Sequence, residues 1–210
     1  TFTGAQLTSE TISLTETAAG VSILQINVES GTNVTFGNIT ASTFSTSTDS
    51  LRIFGASGNE TINGPNIGST ISSLAGNDTI TGGTQADIIE GGDGNDTLTG
   101  GDGADSLTGG AGNDTYRFNT GDVDAGESIT EASSGGTDTV SIITSTDFAN
   151  MSNASFDEID VINFGGASQT ATFTGAQLTS ETISLTETAA GTSNLIINVG
   201  TGTTGAFTNI

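Results

Sequence analysis

Aspartates stand at positions 78, 87, 96, 105 and 114, nine residues apart without exception. Two residues behind each comes Ile80, Ile89, Leu98, Leu107 or Tyr116, and glycine pairs fall at Gly82–Gly83, Gly91–Gly92, Gly100–Gly101 and Gly109–Gly110. Few folds can accommodate a period this strict and side chains this small. One nonapeptide supplies a short strand, such as Thr97-Leu98-Thr99, whose central residue points inward because alternate residues face opposite sides. The rest, such as Gly91-Gly92-Asp93-Gly94-Asn95-Asp96, makes a tight turn in which glycine permits positive φ and close approach of carbonyls. Two nonapeptides close one coil, so Asp78, Asp96 and Asp114 form one column and Asp87 and Asp105 another. The frame extends backwards through Ile71, Ile62 and Ile53, with Ser69 and Glu60 at the aspartate position. The spacing therefore predicts an all-β chain with a parallel β-solenoid over 51–118.

A column of carboxylates one strand spacing apart repels itself unless a cation lies between its members. The chain offers oxygen and nothing softer, since it contains no His and no Cys, so zinc is a poor match. Calcium takes six to eight oxygens and tolerates irregular geometry, whereas magnesium demands an octahedron and keeps its water. The aspartates and turn carbonyls thus point to calcium, with sites expected between 78 and 96, 87 and 105, and 96 and 114. The expected ligands are the five aspartates and the glycines at 82, 83, 91, 92, 94, 100, 101, 103, 109, 110 and 112, that is Gly82, Gly83, Gly91, Gly92, Gly94, Gly100, Gly101, Gly103, Gly109, Gly110 and Gly112. Asp93 and Asp102 could contribute carbonyls while their carboxylates face water. Gln85 replaces a motif glycine and predicts a looser turn before Asp87. Asp122 lies outside the frame.

The segments GGTQADIIE at 82–90, GGDGNDTLT at 91–99, GGDGADSLT at 100–108 and GGAGNDTYR at 109–117, preceded by SLAGNDTIT at 73–81, are copies of the pattern GGxGxDxUx, with U aliphatic. In this block the chain resembles the RTX (repeats-in-toxin) calcium-binding β-roll family. That resemblance implies a parallel β-roll with calcium held between turns two repeats apart. The flanking text, GGTDTVSI, FDEIDVINFGG and TATFTGAQL, is similar to strand ladders beside such blocks in bacterial surface-layer proteins and large adhesins, which implies an exported, cell-surface setting.

Charge narrows the partners. Twenty-four acidic residues face two basic ones, Arg52 and Arg117, for a net charge of −22. Nucleic acid, which needs basic groups at its phosphates, is excluded, and an anionic membrane surface is disfavoured. No apolar run reaches the roughly 20 residues of a transmembrane helix. Without His, Cys or Lys the chain lacks the usual triads, thiol nucleophiles, Schiff-base amines and phosphate clamps. Catalysis is not expected.

A longer repeat encloses the short one. TFTGAQLTSETISLTETAAG at 1–20 returns letter for letter at 172–191, and the likeness decays through 192–210. The chain reads as one unit of 171 residues plus the opening of the next, cut or processed from a tandem array. The expected organisation is a β-strand segment at 1–50, the roll at 51–118, a β-rich connection with a short helix or turn at 119–171, and the start of the next unit at 172–210. Phe148, Met151 and Phe156 are expected as core plugs. Near-identical units suit a structural repeat of a self-associating extracellular protein, such as a surface layer, filament or matrix. The alternatives are the stalk of a large adhesin, or the calcium-dependent folding and secretion module of an exported toxin or hydrolase. No continuous T-x-T ladder is visible at coil spacing, so the threonines are expected as ordinary solvent-facing strand residues.

Overall fold

The computed structural model describes residues 2–3, 12–14, 23–36, 39–41, 50–131, 135–178, 183–188 and 191–198. All described strand pairings are parallel, and successive strands alternate between two faces of a solenoid. One face is a seven-stranded sheet that includes Ile23–Asn27, Ser50–Phe54, Thr70–Ser72, Ile88–Asp93, Ser106–Ala111 and Ser128–Thr130. The other is an eight-stranded sheet that runs from Asn33–Thr35 through Thr61–Asn63, Thr79–Gly83, Thr97–Gly101, Thr115–Phe118, Thr139–Ile142 and Val161–Phe164 to Ser184–Glu187. The first face resumes beyond residue 142 as a three-stranded sheet of Thr146–Asp147, Thr170–Thr174 and Asn194–Asn198. Ile12–Leu14 and Ile39–Ala41 make a separate pair.

In the nonapeptide block the register follows the predicted coil of two repeats: Leu98 pairs with Ile80 and Tyr116, and Ile89 with Ile71 and Leu107. The period-two burial of these strands, with Leu98 and Leu107 buried between half-buried neighbours, is what alternation on a pleated strand requires. Two files of inward side chains meet along the axis. Ile26, Ile53, Ile71, Ile89, Leu107 and Ile129 come from one face, and Ile62, Ile80, Leu98, Tyr116, Val140 and Ile162 from the other, all buried. The core is therefore one side chain deep per sheet and as long as the stack.

The eight-stranded ladder passes both ends of the nonapeptide block without interruption, while among the described residues the seven-stranded one runs to Ser128–Thr130. Tyr116 pairs with Val140, Val140 with Ile162, and Ile162 with Leu185; upstream, Ile26 pairs with Ile53 and Val34 with Ile62. What changes is turn length, as the coil grows when the nine-residue period is lost. Beyond the block the interior widens and is filled by aromatic rings. Phe148 stacks on Phe173 at 4.7 Å between centroids and meets Phe118 and Phe156 edge-on at 5.2 and 5.7 Å. Phe148, Met151 and Phe156 are buried as expected of plugs. The short helix expected in this segment is a 3₁₀ turn, Asn153–Phe156, and a second one, Gly175–Leu178, was not foreseen.

Thr61, Thr79, Thr97, Thr115 and Thr139 are paired in register along one sheet. The file two residues on is mixed, with Asn63, Thr81, Thr99, Arg117 and Ser141, so this face carries a single threonine file and, as expected, no continuous T-x-T ladder.

Candidate metal centre

Each motif aspartate stands immediately before a strand, at the rim where the turn hands over to the sheet. There its Oδ1 accepts the backbone N–H of the residue one coil earlier. Asp96 accepts from Asp78 at 2.8 Å, Asp114 from Asp96 at 2.7 Å, Asp105 from Asp87 at 2.8 Å, Asp87 from Ser69 at 2.7 Å and Asp78 from Glu60 at 2.6 Å. The aspartate thus extends the ladder of hydrogen bonds to the point where the turn ends, and it is pinned by that bond.

Only one oxygen of each carboxylate is used. All five side chains are buried, at 2% exposure or less. The Oδ2 atoms of Asp78, Asp87, Asp96, Asp105 and Asp114 have no hydrogen-bond partner. A buried polar atom without a partner costs free energy, and a buried carboxylate oxygen costs more than most. The Oδ2 atoms of Asp87, Asp96, Asp105 and Asp114 lean over the first glycine of their own nonapeptide. A methyl group at Gly82 would lie 2.6 Å from Asp87 Oδ2 and 2.5 Å from the Gly100 carbonyl oxygen, and side chains at Gly91, Gly100 and Gly109 would collide with Asp96, Asp105 and Asp114 in the same way. Glycine here keeps open a pocket bounded by a carboxylate and, at Gly82 and Gly91, by a carbonyl of the next coil.

Burial dominates the electrostatics. It pushes Asp87 up to about 7 and Asp96, Asp105 and Asp114 up to about 6, against the opposing pull of the backbone N–H each accepts. Asp78 is raised for the same reason. Neighbouring carboxylates add to the rise, as Asp114 and Asp78 do at Asp96. Protons and hard cations are the two ways to relieve such a site, and the all-oxygen donor set fits calcium.

The structure brings together the expected pairs: Asp78 beside Asp96, Asp96 beside Asp114, and Asp87 beside Asp105. Among the glycines, Gly92, Gly94, Gly101, Gly103, Gly110 and Gly112 all have positive φ. At Gly94 (φ +137°) a side chain would also strike the Gly76 carbonyl of the previous coil, so no other residue fits. Gly83, two residues before Gln85, keeps an ordinary φ, in line with an altered turn there. The carboxylates of Asp93 and Asp102 are on exposed residues, and the Asp93 carbonyl accepts the Gly76 N–H at 2.8 Å. Glu60 commits both oxygens to backbone, accepting from Gly31 at 2.8 Å and Ala56 at 3.0 Å, and so offers the column less than an aspartate would. Asp122 is buried and caps its own turn by accepting from Asn119 at 2.7 Å, so it is not the indifferent residue its place outside the frame suggested.

Sequence reasoning missed the continuation of both columns. Asp114 N–H donates to Asp138 at 2.8 Å, and Asp138 N–H to Asp160 at 2.8 Å. On the other rim Asp105 N–H donates to Glu127 at 2.8 Å; Glu127 is buried, has one oxygen without a partner, and burial pushes it up to about 9. Each repeats the local rule of the block, an acid two residues before an inward aliphatic: Glu127 before Ile129, Asp138 before Val140, Asp160 before Ile162. That rule was legible; the nine-residue count that hid it was not the deeper regularity. Outside the carboxylates, Asn77, Asn95 and Asn113 form an exposed file on one rim, each side-chain oxygen accepting the N–H one coil later, from Asn95, Asn113 and Thr137 at 2.7 to 2.8 Å.

Comparison with known families gives one match. Residues 69–98 and 90–122 match the family model of the RTX calcium-binding nonapeptide repeat, in four copies. No curated protein and no solved structure matches the chain. The matched residues enclose all five motif aspartates. This part of the chain is an RTX-type repeat block, and its family identity implies calcium binding.

Proposed function

We propose that the chain is a calcium-stabilised structural repeat of an exported bacterial protein that assembles outside the cell, as a surface layer, filament or matrix. The motif aspartates, with the carbonyls of the glycine turns, hold the ion. Calcium, when bound, supplies the positive charge that turns each repelling column into a cross-link. Without it, −22 charges on a narrow stack favour an expanded chain. Binding free energy then becomes folding free energy, which suits a chain exported in the open state and closed outside.

The observation that carries the structural-repeat reading is the phase of the long repeat. Phe2 and Thr3 pair with Ile26 and Asn27; their counterparts Phe173 and Thr174 pair with Ile197 and Asn198. Both copies thus enter the solenoid with the same partner at the same register. A following unit can continue the coil without a joint, adding roughly eight coils, or ~38 Å, at the ~4.8 Å spacing of paired strands. The strand edges of a solenoid also invite another copy to stack on them.

Chains of one, two and three units, purified with calcium, test this by electron microscopy and light scattering. Straight rods lengthening by ~38 Å per unit, which associate further as calcium is added, are expected. Rods that stay monomeric at high concentration would favour the adhesin stalk, which the jointless register suits equally. Beads of fixed size on flexible links would overturn the continuous-coil basis of both.

A further inference from the structure

Where the nonapeptides stop, the aspartate column meets a carboxylate that the repeat does not explain. Gly109, the first glycine of the last nonapeptide, lies opposite Glu131 in the next coil, because Leu107 pairs with Ile129 and Thr108 with Thr130. A glutamate therefore stands one coil beyond a motif glycine. Ligand oxygens of Asp114, Glu131 and Asp138 all lie within 4.8 Å of one another. Asp114 and Asp138 are 99% and 98% buried, and Asp114 Oδ2 has no hydrogen-bond partner. That oxygen is aimed into the cluster: a methyl group placed on Gly109 would collide with it and would lie 2.6 Å from both Glu131 Oε1 and Tyr116 Oη. Tyr116 closes the cluster, accepting the Gly109 N–H at 2.6 Å and donating to Glu131.

We propose that Asp114, Glu131 and Asp138 form a further calcium site, with one carboxylate from the last nonapeptide and two from residues outside the motif, which ties the roll to the longer coils that follow. The proposal rests on reading the aspartate columns as calcium sites, and adds that a side-chain carboxylate takes over at the glycine position where the repeated turn is lost. Glu131 supplies charge there that no turn carbonyl can. A hard, oxygen-seeking cation is the fitting occupant, since the set contains no nitrogen or sulfur ligand.

The chain has one tyrosine and no tryptophan, so Tyr116 is its sole strong sensitiser of lanthanide emission. Terbium, a hard trivalent substitute for calcium, should give tyrosine-sensitised emission in the full chain. Glu131→Gly, which places at 131 the residue that the preceding coil carries, should bind one calcium ion fewer per chain by equilibrium dialysis and lose a large part of that emission. Asp87→Asn, on the opposite rim, should lose an ion but leave the emission. Unchanged stoichiometry and emission in Glu131→Gly would overturn the site while leaving the columns standing. If wild-type chain bound no calcium, the underlying reading would fail instead. Should Glu131→Gly fail to close with calcium, Glu131→Gln, which keeps the side chain and its bond to Tyr116, decides on the same two readouts. Absence of sensitised emission from the terbium-loaded wild type overturns the site whatever the variants do.

Discussion

Replacing one buried aspartate by asparagine should move the calcium-free and calcium-loaded states in opposite directions. Asp96 is 1% exposed, stands between Asp78 and Asp114, and is pushed from 3.8 to about 6, first by burial. Two pKa units correspond to about 3 kcal/mol of disfavour for the ionised form at neutral pH. With Asp87, Asp105 and Asp114 raised comparably, the penalty reaches on the order of 10 kcal/mol, the size of a whole domain's stability. The closed roll without metal holds these protons at pH values where the unfolded chain, near 3.8, has lost them. It therefore binds more protons between about pH 4 and 7, and its stability falls as pH rises through that window. Below about pH 4 both states are protonated and the penalty is gone. Glu127, raised from 4.5 to about 9, carries the same loss further up. Asp96→Asn removes one charge at constant shape. Without calcium at pH 7.5 it should stabilise the strand-rich state by about 3 kcal/mol, while raising the calcium needed for half-closure at least tenfold. Urea titrations followed by far-UV circular dichroism at pH 4.5 and 7.5, each with EGTA and with calcium, separate these effects. A calcium-free form that gains stability from pH 4.5 to 7.5, or an Asp96→Asn chain weakened in both states, would refute the reasoning.

Other perturbations probe single elements. Asp157, exposed and outside both columns, should tolerate Asn with no change in the calcium midpoint, and a shift matching that of Asp96→Asn would dissolve the column assignment. Gly91→Ala places a methyl against Asp96 Oδ2 and beside the Gly109 carbonyl. It should weaken calcium-induced closure, where Gly→Ala at an unstrained, uncrowded position stabilises by about 0.4–1 kcal/mol, and the same titration reads the sign. Leu98, fully buried in a core one residue deep per sheet, should cost about 2–5 kcal/mol on truncation to Ala, read by urea unfolding at saturating calcium. A cost under 1 kcal/mol would mean that the inward file is not packed as described.

The nine-residue rhythm made the most constrained part of the molecule legible. It located the inward file from Ile80 to Tyr116, the two rims and the five buried aspartates, because each depends on a local spacing that the coil repeats. Beyond Phe118 the same physical device persists with a different count. Asp114 reaches Asp138 across 24 residues and Asp105 reaches Glu127 across 22, so turns of unequal length conceal an unchanged rim. Glu131 was invisible for another reason: its role follows from facing Gly109 across one coil, a relation fixed only once the register is known. The aromatic interior around Phe148 and Phe173 likewise depends on which strands adjoin after the frame is lost. The expectations for residues 1–22 and 199–210 fall largely outside the described residues.

Calcium titration of the EGTA-treated chain, with bound calcium counted by equilibrium dialysis and strand content followed by circular dichroism in the same samples, tests the central claim most directly. Several ions binding per chain, in step with a cooperative gain of strand signal, is the result that buried and unpartnered Asp78, Asp87, Asp96, Asp105 and Asp114 demand. A chain that is already strand-rich in EGTA at neutral pH, or that binds calcium without any gain of structure, would contradict it.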